Sequence, residues 1–127
     1  MEQIELDNAL VKFASLGMIK EVAKCLELGA DIHADDDGAL RWAADSGHTE
    51  TVKLLLENGA NIHANDDGAL RLAAEYGHTE TVKLLLQAGA NVHARDVWAL
   101  KWSAYNGHVE VVDLLEKHRT SNIKTAK

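Results

Sequence analysis

The sequence has 127 residues, which favours one domain, and its 46% hydrophobic and 26% charged residues exclude a disordered chain. Thirteen Lys and Arg against twenty Asp and Glu give a net charge of −7, which argues against binding to nucleic acid or an anionic membrane. Without an apolar run that could span a bilayer, a secretory signal at its start or a second cysteine, the sequence predicts an intracellular protein.

The sequence repeats itself with a period of thirty residues. Residues 39–68 and 69–98 match at 21 of 30 positions without a gap, and the same register extends in both directions with more differences. We therefore predict one domain over residues 1–127 that consists of four units. The expected boundaries are about residues 5–34, 35–64, 65–94 and 95–118, followed by a polar tail (119–127) that we expect to fray.

Each unit is predicted to form two short helices. In the second unit, residues 39–44 have the apolar spacing of a helix built from small residues, and Gly47 follows at the position of a left-handed C-cap. Residues 52–56 have the spacing of a second helix, which ends at Gly59. Residues 60–68 are polar and turn-forming. Helix pairs this short cannot bury their apolar faces alone, so we expect the units to stack on one another.

The first and last units differ from the middle ones as the ends of a stack should. Two positions that are lysine only in the first unit are expected to face the preceding unit: Trp42, Leu72 and Trp102 against Lys12, and Leu54, Leu84 and Leu114 against Lys24. One position that is acidic only in the last unit is expected to face the following unit: Leu26, Leu56 and Leu86 against Glu116.

Two motifs of the second unit resemble the ankyrin repeat, and near-copies follow thirty residues later. They are Gly47–Leu56 (GHTETVKLLL) and Gly59–Ala64 (GANIHA). The resemblance covers essentially the whole chain. It implies an all-α ankyrin-repeat solenoid of four helix–turn–helix repeats with short hairpin or finger loops. It also implies a non-catalytic scaffold that presents its fingers and inner helices to a protein partner along a concave surface.

The repeats depart from the usual ankyrin pattern in two ways. The Thr-Pro-Leu-His stretch of the family is replaced by Gly38–Arg41 and Gly68–Arg71 in the middle units. The period is thirty residues instead of the usual thirty-three, with the missing residues in the finger. This shortened, proline-free form is similar to the ankyrin repeats of giant DNA viruses and some intracellular bacteria.

Two sets of histidines recur with the repeat and raise the question of a metal site: His33, His63 and His93, and His48, His78 and His108. Equivalent atoms in stacked units lie about 10 Å apart, whereas zinc ligands lie ~2.0–2.1 Å from a shared ion. Neither set is therefore expected to bind a metal. As the family resemblance implies for the Gly-His positions, we expect the imidazoles to hydrogen-bond backbone groups of the inter-repeat loops.

Other residues that can carry chemistry fit structural roles better. Cys25 aligns with Leu55 and Leu85 and is expected to pack in the core rather than to act as a nucleophile. The acidic run Asp35–Asp37 lacks the ligand spacing of a calcium loop, so we expect solvated turn carboxylates, one of which caps the next helix. No phosphate-binding glycine motif occurs. We expect no cofactor, no small-molecule substrate and no enzymatic activity.

Charged residues also recur with the repeat. A basic row (Arg41, Arg71, Lys101) and an acidic row (Asp36, Asp66, Asp96) either pair with each other or form a charged stripe for a partner. Charge is uneven along the chain: residues 1–80 hold sixteen acids and six bases (−10), whereas residues 81–127 hold four and seven (+3). Such an asymmetry can orient an incoming partner.

Candidate partner-binding residues are those that differ between units, because packing positions repeat, together with two members of the basic row. The set comprises Trp98, Tyr76, Tyr105 and Arg95, together with Arg71, Lys101 and Asp67. Large aromatic residues at variable positions are typical binding hot spots. Trp98, which replaces Gly38 and Gly68, is either such an anchor or a cap that shields the last repeat.

The functional interpretation is a monomeric protein–protein interaction module that acts as an adaptor or a competitive inhibitor of an unidentified partner. A more specific version is a virus- or parasite-encoded modulator of a host protein, located in the host cell. A second alternative is a designed or structural repeat scaffold without a partner of its own, which the near-identity of the two middle units would suit.

Overall fold

The computed structural model describes residues 1–125, with side chains described as far as Ser121. The described residues form eight α-helices and no strand, so the predicted all-α fold is confirmed. The helices are α1 (Gln3–Ser15), α2 (Ile19–Glu27), α3 (Ala34–Asp45), α4 (Thr49–Glu57), α5 (Ala64–Glu75), α6 (Thr79–Gln87), α7 (Trp98–Tyr105) and α8 (Val109–Thr125). Among the described residues, no helix is both long and apolar enough to span a bilayer.

The helices stack in two layers. Helices α1, α3, α5 and α7 pack side by side in chain order and form an inner layer, and α2, α4, α6 and α8 form an outer layer in the same order. Each inner helix also packs against the outer helix that follows it. Every repeat therefore contacts its neighbours in the chain, which is the architecture of a helical repeat solenoid.

The core lies between the two layers. It contains leucines at one position of the inner helices and one of the outer helices: Leu10, Leu40 and Leu70, and Leu55, Leu85 and Leu115. Cys25 occupies the equivalent outer position in the first repeat and is buried, as predicted. Burial, with a smaller contribution from Glu21, raises the pKa of its thiol. Cys25 thus packs as a small hydrophobic residue.

Glycines end the helices where the sequence predicts. Gly47 and Gly59 follow α3 and α4 with φ of +74° and +93°, a left-handed conformation that favours glycine. At Gly47 there is a second reason, because a Cβ there would lie 2.5 Å from Nδ1 of His78 in the next repeat. In the last repeat Arg119 stands at the position of Gly59. Without that glycine, α8 continues to Thr125.

This extension changes the end of the predicted last repeat. The sequence suggests a polar tail from residue 119 onward, but the helix that begins at Val109 passes this point without a break. Arg119 forms an ion pair with Glu116 one turn earlier, at 2.9 Å. The last two residues of the predicted tail, 126 and 127, lie outside the described residues.

Each of the last three repeats begins with a left-handed turn of three residues, termed the finger turn, which interrupts α3 and α5 after their first residue and directly precedes α7. The three finger turns are Asp35–Asp37, Asn65–Asp67 and Arg95–Val97, and all nine residues have φ between 50° and 59°. Asn and Asp tolerate this conformation better than other residues with a side chain, and they fill the first two turns completely. Val97 is β-branched, so its φ of +57° makes the last finger turn the most strained.

In each of the first three repeats one carboxylate holds the segment that leads from the outer helix to the next repeat, and this set is termed the Asp ladder. Asp7, Asp37 and Asp67 accept hydrogen bonds from the backbone N–H groups of Asp31, Asn61 and Asn91, at 2.7, 2.8 and 2.7 Å. The ladder ends at Val97, the equivalent position in the last repeat. Asp37 is buried and no side chain caps α3, so the expectation of solvated turn carboxylates is wrong for Asp37, although Asp35 and Asp36 are exposed.

The packing of neighbouring repeats agrees with two of the three expected contact positions. Leu26 and Leu54 line one groove between α2 and α4, and Leu86 and Leu114 line the equivalent groove between α6 and α8. Trp42 is different, because 41% of its surface remains exposed on α3. The preceding repeat therefore does not cover it.

Candidate protein-binding surface

The exposed side of the inner layer carries large aromatic side chains. Trp42 on α3, Tyr76 at the C-terminal end of α5 and Tyr105 on α7 are 41%, 53% and 79% exposed. They stand next to Asp45 and Glu75, two carboxylates at the ends of α3 and α5. This surface, formed by the residues at positions 42, 45 and 46 and their equivalents 72, 75, 76, 102, 105 and 106, is termed the inner-helix face.

Three of the aromatic rings form a cluster at the last repeat. The ring centroids of Trp98 and Trp102 lie 5.7 Å apart with planes tilted by 45°. Those of Trp102 and Tyr105 lie 5.5 Å apart in an edge-to-face arrangement at 68°. Such pairs contribute about 0.5–1.5 kcal/mol beyond the area they bury. The cluster is therefore a preorganised aromatic surface that ends in the exposed Tyr105.

The seven candidate residues do not lie on one surface. Tyr76, Tyr105, Arg95 and Lys101 are exposed. Trp98 is half-buried, with its ring beneath the guanidinium of Arg71 at 5.0 Å. Arg71 and Asp67 are only 8% and 4% exposed. Because both carboxylate oxygens of Asp67 already accept internal hydrogen bonds, it belongs to the Asp ladder and offers little surface to a partner.

The two arginines of the basic row contact the backbone of the finger turns and not the side chains of the acidic row. Arg41 donates from Nε and Nη2 to the backbone carbonyls of Asp36 and Asp35, at 3.0 and 2.8 Å. Arg71 donates in the same way to the carbonyls of Asp66 and Asn65, at 3.0 and 2.9 Å. The planar fork of arginine thus fits two carbonyls of a left-handed turn, and pairing with the acidic side chains of the row is not its role.

Burial distinguishes Arg71 from Arg41. The pKa of Arg71 is lowered, chiefly because burial removes water from the guanidinium and secondarily because the positive charge of Arg95 is close. Trp98 accounts for part of this burial, since its ring lies over the guanidinium. The equivalent residue near Arg41 is Gly68, where a Cβ would lie 2.9 Å from Cδ of Arg41. Gly68 therefore leaves room for the Arg41 side chain, whereas the Trp98 ring covers the equivalent Arg71.

One member of the acidic row, Asp66 in the third repeat, pairs with an arginine outside the basic row. Asp66 Oδ2 lies 3.2 Å from Nε of Arg95 in the next finger turn, and both side chains are largely exposed. An exposed pair of this kind contributes about 0–1 kcal/mol. Arg95 is thus available at the surface but partly neutralised by its neighbour.

The two histidine sets make different contacts. Nε2 of His78 and of His108 donates to the backbone carbonyls of Asp45 and Glu75 in the preceding repeat, at 2.8 and 2.9 Å. The expectation of hydrogen bonds to backbone is confirmed for these two imidazoles. It is wrong for His33 and His63, whose Nδ1 atoms donate to the carboxylates of the ladder residues, each at 3.0 Å. Within residues 1–121, no three His, Cys, Asp or Glu side chains converge as metal ligands would.

A family model for ankyrin repeats (3 copies) matches residues 3–66 and again residues 64–126. The chain belongs to the ankyrin repeat family. Ankyrin repeats are generally protein–protein interaction modules, and the family is typically non-catalytic. No curated protein matches the chain.

Sequence reasoning missed one residue of the ankyrin inner-helix face. Trp42 was expected to face the preceding repeat because Lys12 replaces it in the first one. Its exposed fraction and its position one turn before Asp45 place it on the inner-helix face instead. The sequence carries one signal for this position: Trp42 is much larger than Leu72, which fills the equivalent position in the next, nearly identical repeat.

Proposed function

We propose that this ankyrin stack is a non-catalytic binding module that holds a protein partner on its inner-helix face and finger turns. The observation that carries the proposal is the exposure of Trp42, Tyr76 and Tyr105 on consecutive inner helices. Large aromatic side chains on one surface are the usual anchors of protein interfaces, because each buries much apolar area at little cost in conformational entropy.

Comparison of equivalent positions supports this role over a purely structural one. Tyr76 replaces Ser46, and Tyr105 replaces Asp45 and Glu75. The stack tolerates small or charged residues at both positions, so its packing does not require either ring. Exposed Arg95 and Lys101 lie on the same repeat as Tyr105 and extend the proposed surface.

Within this function, the chain acts by occupying or bridging its partner, as an adaptor or a competitive inhibitor, inside a cell. Its surface features favour such a role over a partner-free scaffold, because a scaffold has no use for exposed aromatic rings that its own packing does not need. A partner in a host cell would fit the resemblance to short viral and bacterial repeats.

The proposal is tested by a double substitution that copies the protein's own repeats, Tyr76→Ser and Tyr105→Ser. Ser46 and Ser15 occupy these positions elsewhere, so the variant is expected to fold, with only a small loss of melting temperature from the missing Trp102–Tyr105 ring contact. Quantitative capture from cell extract should lose the proteins retained by the wild type. The matched control, Glu50→Ser and Glu80→Ser on the outer helices, should retain them. Equal capture by the wild type and both variants would contradict the proposed surface.

A further inference from the structure

The free charges of the inner-helix face are negative over the second and third repeats. Arg41 and Arg71 are held by backbone carbonyls of the finger turns, and Arg71 is also buried. By contrast, no described residue forms an ion pair with the carboxylate of Asp45 or Glu75. Asp35 and Asp36 add further exposed carboxylates at the first finger turn.

On this face the carboxylates lie beside aromatic or apolar side chains. Asp45 follows Trp42 by three residues on α3, and Glu75 follows Leu72 by three residues on α5. Residues three apart on a helix are neighbours on its surface. Tyr76 follows Glu75 directly in the chain and adds a ring that is 53% exposed.

Both components of this pattern attract the same class of side chain. A carboxylate attracts a cation by charge, and the face of a Trp or Tyr ring attracts it through its quadrupole. The protein itself contains two such contacts: the guanidinium of Arg41 lies 5.8 Å from the Trp42 ring centroid, and that of Arg71 lies 5.0 Å from that of Trp98. Arginine therefore already packs against aromatic rings of the inner helices in this protein.

We propose that the partner presents a basic segment, rich in arginine or lysine, whose cations lie against the Trp42–Asp45 and Tyr76–Glu75 pairs. This inference rests on the proposed function and specifies the chemistry of its partner. An acidic segment is disfavoured because residues 1–80 carry a formal charge of −10, from sixteen acids and six bases. At the last repeat the charge changes sign, with Arg95 exposed in the finger turn and Lys101 exposed on α7. The end of the segment that reaches this repeat is therefore apolar or aromatic and contacts the Trp98–Trp102–Tyr105 cluster.

The partner chemistry can be determined without knowing the partner. The full chain is immobilised and used to select from a phage-displayed library of random linear peptides, and selected peptides are synthesised and titrated. We expect them to have an excess of Arg and Lys over Asp and Glu, and to bind more weakly as NaCl is raised.

Two isosteric double variants locate the interaction. Asp45→Asn with Glu75→Gln should weaken binding of the selected peptides about three- to thirtyfold, as expected for the loss of two partly exposed charge pairs. Glu50→Gln with Glu80→Gln removes the same net charge from the outer helices and should change affinity less than twofold, by long-range charge alone. Thermal melts check that both variants fold like the wild type.

The outcomes separate the inference from the function on which it rests. Neutral or acidic peptides that still lose binding on Tyr76→Ser and Tyr105→Ser would overturn the basic partner but leave the surface in place. Peptides whose binding does not change when both tyrosines are replaced would overturn both proposals. The absence of any selected peptide would do the same. Equal losses in the two charge variants would also refute the basic-segment proposal, since only overall charge would then matter.

Discussion

We expect Asp67→Ala to loosen the segment that leads from the third repeat to the fourth. Asp67 Oδ2 accepts the backbone N–H of Asn91 at 2.7 Å, and Oδ1 accepts Nδ1–H of His63 at 3.0 Å. The residue is buried and has φ of +55°. The substitution therefore removes two acceptors from the interior and places alanine in a left-handed turn.

Two contributions set the expected loss in the free energy of unfolding. Loss of a buried hydrogen bond to a charged group costs about 1.5–3 kcal/mol, and alanine in the left-handed region costs about 1 kcal/mol more than aspartate. The free energy of unfolding should fall by roughly 2.5–4 kcal/mol. Asp66→Ala is the matched control, because Asp66 has φ of +53° in the same turn but an exposed carboxylate. It should cost about 1–2 kcal/mol, from conformation and its surface ion pair.

Urea unfolding followed by circular dichroism measures both variants, and hydrogen exchange follows the Asn91 amide. Asp67→Ala should shift the unfolding midpoint more than Asp66→Ala and should speed exchange at Asn91. Asp67→Asn, which keeps an acceptor and tolerates the turn, should lie between the wild type and Asp67→Ala. If the two alanine variants were equally stable, or if exchange at Asn91 were unchanged, the Asp ladder would not hold the segments between repeats as described.

Three further substitutions test the last repeats. Trp98→Gly uncovers the Arg71 guanidinium and should lower the melting temperature, with a loss of about 1–2 kcal/mol; an unchanged melt with lost partner binding would instead identify Trp98 as an interface anchor. Val97→Asn should relieve strain at φ of +57° and raise the free energy of urea unfolding by up to about 1 kcal/mol, whereas a clear decrease would mean that Val97 packing outweighs the strain. Leu115→Ala should cost ~2–5 kcal/mol and expose the fourth repeat to hydrogen exchange first. Equal loss of protection in all four repeats would contradict nearest-neighbour stacking.

The order of helices was predictable because short-range patterns determine it. The thirty-residue period, the apolar spacing within residues 39–44 and 52–56, and the glycines at 47 and 59 indicate two helices per repeat. All of these signals act within one repeat, where neighbouring residues in the chain are also neighbours in space. The extension of α8 follows the same logic, since the missing glycine at position 119 is visible in the sequence.

The candidate site was less predictable because variability between repeats has more than one cause. Asp67 and Arg71 were selected as variable or charged positions, yet both are buried: Asp67 is bound by His63 and Asn91, and Arg71 lies under the Trp98 ring. Position 97 is valine where position 67 is aspartate because the Asp ladder ends at position 97. Gly68 lies close to the Arg41 side chain, whereas the Trp98 ring covers the equivalent Arg71. A change at the end of a stack resembles a change at an interface when only the sequence is compared.

The sequence by itself determined the repeat, the helices, the core leucines and the family resemblance, because each depends on residues that are close in the chain. Only the tertiary structure decided which polar side chains are exposed. The Arg41 fork is bound to carbonyls five and six residues earlier through a left-handed turn, and the Asp37 carboxylate is bound to a backbone N–H twenty-four residues later. These contacts depend on the left-handed finger turns and on the return of the chain toward the inner helices after each outer helix. Local periodicity does not encode either, so the free carboxylates and rings of the inner-helix face emerge only once the stack is formed.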